Sequence, residues 1–185
     1  MVPITPTKHQ KAFLDADNTE LAFLGTPTRD CGVGKTTALL LALFKHADEP
    51  SFCGLFVSRT HLQLVSPSGP VKTARDWAGT NSVYSSSHLR LTFDSGATIQ
   101  FANCDGSDYV KFMGLRFDCI CVDNASLWKG RKISEDDEVG LLHPEFYDVL
   151  YTRLNTNGKM RIAASLDGIG VPWIKQRFMP NVVMD

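Results

Sequence analysis

No run of this 185-residue chain is apolar for long enough to cross a membrane, which excludes a membrane-spanning helix. The amino terminus lacks the basic and apolar segments of a secretory signal, no lipidation pattern is present, and the expected compartment is cytoplasmic. A charge bias is missing too. Nineteen Lys and Arg stand against twenty Asp and Glu, a net charge of −1, so no global field draws the chain to nucleic acid. Any DNA contact has to come from a local patch. Cysteine is too sparse for a disulfide framework: Cys31, Cys53, Cys104, Cys119 and Cys121 form an odd set scattered through apolar segments. They are expected as reduced, buried thiols. Cys119 and Cys121 share one strand-like run, are expected on its opposite faces, and are not expected to share a metal. Internal repeats and low-complexity tracts are absent as well.

What is present is ordinary in bulk and pointed in detail. With 43% hydrophobic and 21% charged residues, the chain suits one globular domain over 1–185 with a sizeable core. Arg29-Asp30-Cys31-Gly32-Val33-Gly34-Lys35-Thr36-Thr37 reads as a phosphate-binding loop whose first glycine position holds Arg29. Gly34 lets the backbone curl until its N–H groups face phosphate oxygens. Lys35 places a point charge at the β- and γ-phosphates, and the Thr36 hydroxyl is placed to ligate Mg²⁺. The context fits: Glu20 to Gly25 is a short apolar run ending in glycine, and Thr37 to Lys45 is strongly helix-forming.

Strand-like and helix-like runs alternate along the chain, which predicts an α/β layered fold with a mainly parallel sheet flanked by helices. Helices are expected at Lys8 to Ala16, Gly69 to Ala78, Pro144 to Leu154 and Val171 to Phe178, with Val71, Ala74, Trp77 and Ala78 on one face of the second. Strands are expected at Cys53 to Ser58, Phe117 to Val122 and Met160 to Ser165. Leu89 to Phe93 and Ala97 to Phe101 flank the turn residues Asp94-Ser95-Gly96 and predict a β-hairpin, an antiparallel insertion on the parallel theme. The region from Lys129 to Gly140, with the run Ser134-Glu135-Asp136-Asp137-Glu138, reads as a solvated acidic loop.

A phosphate loop needs an acidic partner across the phosphates. The run Ile120-Cys121-Val122-Asp123 supplies one at the carboxyl end of a buried strand, where ligands bind in open α/β sheets. Asp123 is the candidate to hold Mg²⁺ with Thr36; the alternative is a plain turn or helix cap. ATPases that use a water nucleophile usually carry Glu after this Asp. Here Asn124 follows, and an amide can hydrogen-bond water without accepting its proton. Either hydrolysis is impaired or another carboxylate substitutes, with Glu135 and Glu138 as the candidates.

These segments, from about Thr7 to Phe178, resemble the ATPase domain of the large terminase subunit, the DNA-packaging motor of tailed bacteriophages. Thr7 to Phe13 resembles the family's adenine-side segment, with Gln10 the candidate reader of the base. The phosphate loop with an early Arg is similar to the family's deviant version. Similar again are Val57 to Leu64, the hairpin from Phe93 to Phe101, Met113 to Asp118, and Arg161 to Ser165 followed by Trp173 to Phe178. The resemblance implies a P-loop NTPase of the RecA-like (ASCE) type that binds ATP and Mg²⁺ through Gln10 and the loop from Arg29 to Thr37. It implies partners too: double-stranded DNA, a portal, a small terminase subunit and a working homo-oligomeric ring. Three positions depart from the family. Asn124 replaces the catalytic Glu, Ser165-Leu166-Asp167 stands where Asn-Pro-Gly is usual, and the loop between Gly25 and Gly32 is longer than common. The family's nuclease domain is not expected in residues 179–185, which are too few to form it.

The expected activity is therefore an ATPase driving DNA translocation, with Lys35 and loop amides stabilising the transferring phosphoryl group. Arg29 is the candidate stabilising charge in cis. Arg59 and Arg75 are candidates for a finger reaching a neighbouring subunit, against the plainer reading of surface arginines. Alternatives are a hydrolysis-impaired nucleotide-binding scaffold, favoured by Asn124, and a helicase or recombinase core, which would need a second motor domain. A small-molecule kinase would need an arginine-rich lid. His88 and His143 read as solvated, and Trp77, Trp128 and Trp173 as core or interface aromatics.

Overall fold

A computed structural model of the protein describes residues 4–25, 34–104, 108–127, 144–168 and 170–179. The first helix, α1 (Lys8–Asp15), starts at a reciprocal cap: the Thr7 hydroxyl accepts from the Gln10 amide at 3.3 Å and the Gln10 side chain accepts from the Thr7 amide at 2.9 Å. It leads into β1 (Glu20–Gly25) and, beyond the phosphate-loop segment, α2 (Lys35–Phe44). Helix α2 is apolar almost all round because it is enclosed: Ala38, Leu39, Leu40, Ala42, Leu43 and Phe44 are all buried, and the helix meets α1, α4 and four strands. The chain continues through β2 (Cys53–Ser58), α3 (His61–Val65), α4 (Pro70–Ala78), β3 (Ser82–Ser85), β4 (Arg90–Phe93), β5 (Thr98–Asn103), β6 (Phe117–Val122), α5 (Pro144–Tyr151), β7 (Leu154–Ser165) and α6 (Val171–Phe178).

The strands form one sheet in the order β1-β7-β6-β2-β5-β4-β3, with five neighbouring strands parallel and β4 and β3 antiparallel at one edge. Both faces are covered, so the central strands are apolar throughout and their period of two divides the core into layers. Phe56, Ile99, Phe101, Cys119 and Cys121 join Leu39 and Leu43 on the α2 face. Leu55, Val57, Ile120, Val122 and Ile162 join Phe146, Tyr147 and Ile174 on the α5–α6 face.

Two expectations need correction, and one is extended. Cys119 and Cys121 are two apart on β6 and therefore share a face: their sulfurs lie 4.0 Å apart beneath α2, where the Cys121 thiol donates to Leu39 O at 3.4 Å. The antiparallel hairpin is present as expected, and its β5 arm also pairs in parallel with β2 along its whole length, which joins it to the main sheet. Strand β7 begins at Leu154 and passes a register irregularity opposite Phe117 and Cys119, where the sequence pattern marks a strand only from Met160.

Candidate nucleotide site

In a parallel sheet the strands point their carboxyl ends the same way, and loops leaving those ends converge. Here β1 ends at Gly25, β7 at Ser165, β6 leads into Asp123 and β2 ends at Ser58. Strand β7 lies between β1 and β6, so the end of β1 and the acid leaving β6 sit one strand apart. Of the expected loop, Arg29, Asp30, Cys31, Gly32 and Val33 lie outside the described residues, while Gly34, Lys35, Thr36 and Thr37 lie within them.

Gly34 is the N-cap of α2, with φ 73° and ψ 39°, the left-handed region that side chains resist. A Cβ there would also stand 2.5 Å from Gln10 Nε2, the movable end of a side chain, so it is the conformation that calls for glycine. Among the described residues no side chain caps α2, and no acidic residue occupies its first turn. A helix start can offer its first amides to an anion, with the helix dipole favouring negative charge. Lys35 and Thr36 open this turn.

Asp123 follows β6 and is held by a bond from its amide to Val57 O at 2.9 Å, with the residue only 5% exposed. The Thr36 hydroxyl lies 3.1 Å from each of its carboxylate oxygens, joining positions 87 residues apart. Asn124 grips the same group from the other side: its amide donates to Oδ1 at 3.1 Å and its Nδ2 to Oδ2 at 3.2 Å. It does so with φ 52°, a left-handed conformation that Asn tolerates better than most residues. Burial pushes the Asp123 carboxyl up to about 6, against the opposing pull of the Thr36 and Asn124 hydrogen bonds and the Lys35 charge.

A buried carboxylate beside a hydroxyl, both hard oxygen donors, suits Mg²⁺, which takes one or two protein oxygens and completes its shell with phosphate and water. Among the described residues no group of three or more His, Cys, Asp or Glu could hold a metal alone. Thr36 and Asp123 fit the shared kind of site and not an all-protein cage.

The loop after Asp123 is fixed by the exit of β7. Ser126, fully buried in the 3₁₀ turn Ala125–Leu127, accepts from the Ser165 amide at 3.2 Å, and its carbonyl accepts from Gly170 N at 2.9 Å. Leu166 N in turn donates to Gly25 O at 2.8 Å. The segment from Ser165 to Gly170 therefore touches both the strand that opens the phosphate loop and the loop that carries the acid. Sequence reading missed Ser126, because a small polar residue after a strand exit looks like any turn residue.

Other candidates separate cleanly. Arg59 leaves β2 at the same end and donates to Leu127 O at 2.8 Å, beside the acid loop. Arg75 instead sits over the Tyr84 ring at 5.0 Å, on α4 by the edge strand β3. Gln10 touches the phosphate-loop end, donating from Nε2 to Gly34 O at 3.0 Å. His88 is bonded to Ser85 and Ser87 in an exposed turn, and Trp77 and Trp173 pack on the two cores. Glu135, Glu138, Trp128 and His143 lie outside the described residues. Among the described residues no helix is long and apolar enough to cross a membrane.

No family model matches the sequence. No curated protein matches it either. Solved structures do. The large terminase of bacteriophage HK97 superposes with a TM-score of 0.62 at 13% identity, over 94% of this chain and 37% of that one. The large terminase of a thermophilic bacteriophage gives 0.65 at 15% identity, over 96% and 43%. The large terminase ATPase domain of Thermus phage P74-26 gives 0.55 at 17% identity, over 86% and 64%. The chain thus spans less than two thirds of the length of each. At these identities the likeness is one of fold, and the chain has the fold of the phage large terminase ATPase domain.

Proposed function

We propose that this chain is a single Mg²⁺-dependent ATPase domain that drives double-stranded DNA into a viral procapsid. The observation that carries the reading is the contact of Thr36 Oγ1 with both oxygens of Asp123, just after a left-handed glycine and at the start of α2. The motif pairs these two segments, and their meeting across 87 residues of chain supports a shared phosphate and metal site. In this reading Lys35 and the first amides of α2 bind and orient the phosphates. Thr36 and Asp123 hold Mg²⁺, which supplies charge neutralisation when bound. Arg29 adds a cation in cis, and Arg59, already at this end of the sheet, is the better placed finger for a neighbouring subunit than Arg75. A homo-oligomeric ring, a portal and a small terminase subunit, in the cytoplasm of the host cell, complete the assembly.

A second reading, a nucleotide-binding scaffold that turns over poorly, is favoured by Asn124. Its amide faces the carboxylate it binds and offers no base for water. Titration with ATP and Mg²⁺, following binding and phosphate release together, separates the readings. The motor reading expects release that double-stranded DNA stimulates and Lys35→Ala abolishes. Tight binding with background release, raised by Asn124→Glu, selects the scaffold. A folded protein that binds no ATP overturns both.

A further inference from the structure

Strand β3 ends the sheet. It pairs with β4 from Ser82 opposite Phe93 to Ser85 opposite Arg90, and among the described residues no strand lies beyond it. Asp94 N donates to Asn81 O at 3.2 Å, so the alternation of an antiparallel pair gives residues 81, 83 and 85 to β4. The N–H and C=O groups of Ser82 and Tyr84 then face outward. Apart from its shortness, Ser82-Val83-Tyr84-Ser85 carries none of the usual guards of an edge: no proline, no charged side chain and no register shift. Val83 is 73% exposed on it.

A trough runs beside that edge. One hollow of about 320 Å³ is lined by Ser82, Leu91 and Asp76, and a second of about 390 Å³ is walled by Val65, Pro67, Val71 and Leu89. Ser82 lines the first and Ser86 the second, so the two lie end to end along β3, bordered in common by Lys72, Arg75 and Tyr84. Lys72 is bonded to Asp76, one turn on along α4. Arg75 is exposed, and among the described residues its side chain has neither an ion pair nor a hydrogen bond; its neighbour is the Tyr84 ring. One cation in the trough is therefore left uncompensated.

The outward N–H and C=O groups suit an extended backbone, the apolar wall suits an alternate side chain, and the free guanidinium suits a carboxylate. Nucleic acid fits less well, because one uncompensated cation neutralises little of a phosphate backbone and the apolar half offers phosphate nothing. A second copy's β3 fits less well too, since its four residues bring no acid to Arg75. We propose that β3 and α4 form a docking site for an extended, acid-bearing segment of a partner protein. That segment adds a strand to β3, seats an apolar side chain against Val65, Val71 and Leu89, and places an Asp or Glu on Arg75. The site lies four strands along the sheet from β6 and stands independently of the nucleotide reading.

The probes are the fluorescein-labelled peptide Thr-Val-Thr-Glu-Thr-Val-Thr and its counterparts with leucine or phenylalanine for valine, which set apolar and acidic side chains on one face. Fluorescence anisotropy should show saturable binding by at least one. Arg75→Gln should weaken it about tenfold, and so should glutamine in place of the peptide's glutamate. Both changes together should cost no more than one, since each removes the same ion pair. N-methylation of alternate peptide amides should abolish binding in one set and spare it in the other, because only every second amide of an added strand faces β3. Melting curves establish that Arg75→Gln is folded. Saturable binding by none of the peptides overturns the proposal, as does equal tolerance of both methylated sets or an affinity that Arg75→Gln leaves unchanged. Duplex DNA that displaces the peptide with the same dependence on Arg75 assigns the trough to nucleic acid instead. A dimer in sedimentation that the peptide dissociates assigns it to a second copy.

Discussion

Asp123 and Glu20 are carboxylates that folding draws out of water at opposite ends of the same sheet, and they meet that cost in opposite ways. Asp123, at the carboxyl end, is met by a hydroxyl, an amide and a side-chain amide from Thr36 and Asn124, and burial still lifts it to about 6. Glu20, at the start of β1, is gripped by both Nε and Nη2 of Arg177, at 2.9 and 3.0 Å, and by the Tyr147 hydroxyl at 2.6 Å. Burial pushes Glu20 upward too, but the Arg177 and Tyr147 hydrogen bonds together outweigh it and hold its carboxyl below the usual value. Glu20 has its own cation and ties β1 to α5 and α6. Asp123 takes bonds from the neutral Thr36 and Asn124, and on the proposed function it also meets a cation that arrives with a ligand. On the proposed function, the difference is that between a carboxylate that holds the fold together and one that serves a ligand.

The contrast breaks most sharply at Asp123→Asn. Mg²⁺-dependent phosphate release should fall about a hundredfold or more, as for loss of a group that fixes charge at the reacting phosphate. The ligand-free protein should become more stable at neutral pH. The sign follows from linkage: the folded state holds the Asp123 proton more tightly than the unfolded chain does, so stability is full below the ordinary carboxyl value and is lost as pH rises towards about 6. At about 1.4 kcal/mol per pKa unit the cost at pH 7 is up to about 3 kcal/mol. Melting temperatures of wild type and variant, compared from pH 4.5 to 8 without nucleotide, should coincide at the acid end and diverge as pH rises. Parallel curves would remove Asp123 from the class of destabilised functional groups.

Glu20→Gln is the converse and should show a smaller effect. It removes the charge that partners a partly buried Arg177, and about 1–2 kcal/mol should be lost, since solvent still reaches the pair. For a chain of this size that lowers the melting temperature by about 3–6 °C. ATP affinity should be unchanged in a binding titration. A Glu20→Gln protein that melts normally yet binds ATP poorly would reverse the assignment of the two carboxylates.

How much of this was legible in the sequence depends on whether a signal was local. Strands β1, β2 and β6 and helix α6 announce themselves with the bounds the structure has, because each is a short apolar or amphipathic run between turn residues. The meeting of Thr36 with Asp123 was legible because the phosphate-loop chemistry demands an acid on a neighbouring strand exit. Strand β3 was not legible: Ser82-Val83-Tyr84-Ser85 is polar and half-exposed, and only pairing with β4 makes it a strand. Helix α3 is five residues long, recognisable mainly by the Thr60 cap that accepts from Gln63 N at 3.3 Å. The engagement of Gln10 with Gly34 and the Glu20–Arg177–Tyr147 cluster are tertiary facts between residues far apart in the chain, and no composition or spacing encodes them.

The finest test of the comparison is at Asn124, where conformation and electrostatics can be separated. At φ 52° a residue with a plain Cβ is strained by about 1 kcal/mol, whereas glycine is not. Asn124→Ala should therefore melt below Asn124→Gly, by a margin that the extra freedom of glycine in the unfolded chain reduces. Both substitutions delete the Nδ2 donor to Asp123 Oδ2 while keeping the backbone amide on Oδ1. A carboxylate that loses a donor to its charged form becomes harder to ionise, so in both variants the pH at which stability falls should move above that of the wild type. Equal melting of the two variants would mean that the left-handed backbone relaxes freely. An unmoved midpoint would mean that the backbone amide and Thr36 alone govern Asp123, leaving Asn124 to act on water and not on the acid beside it.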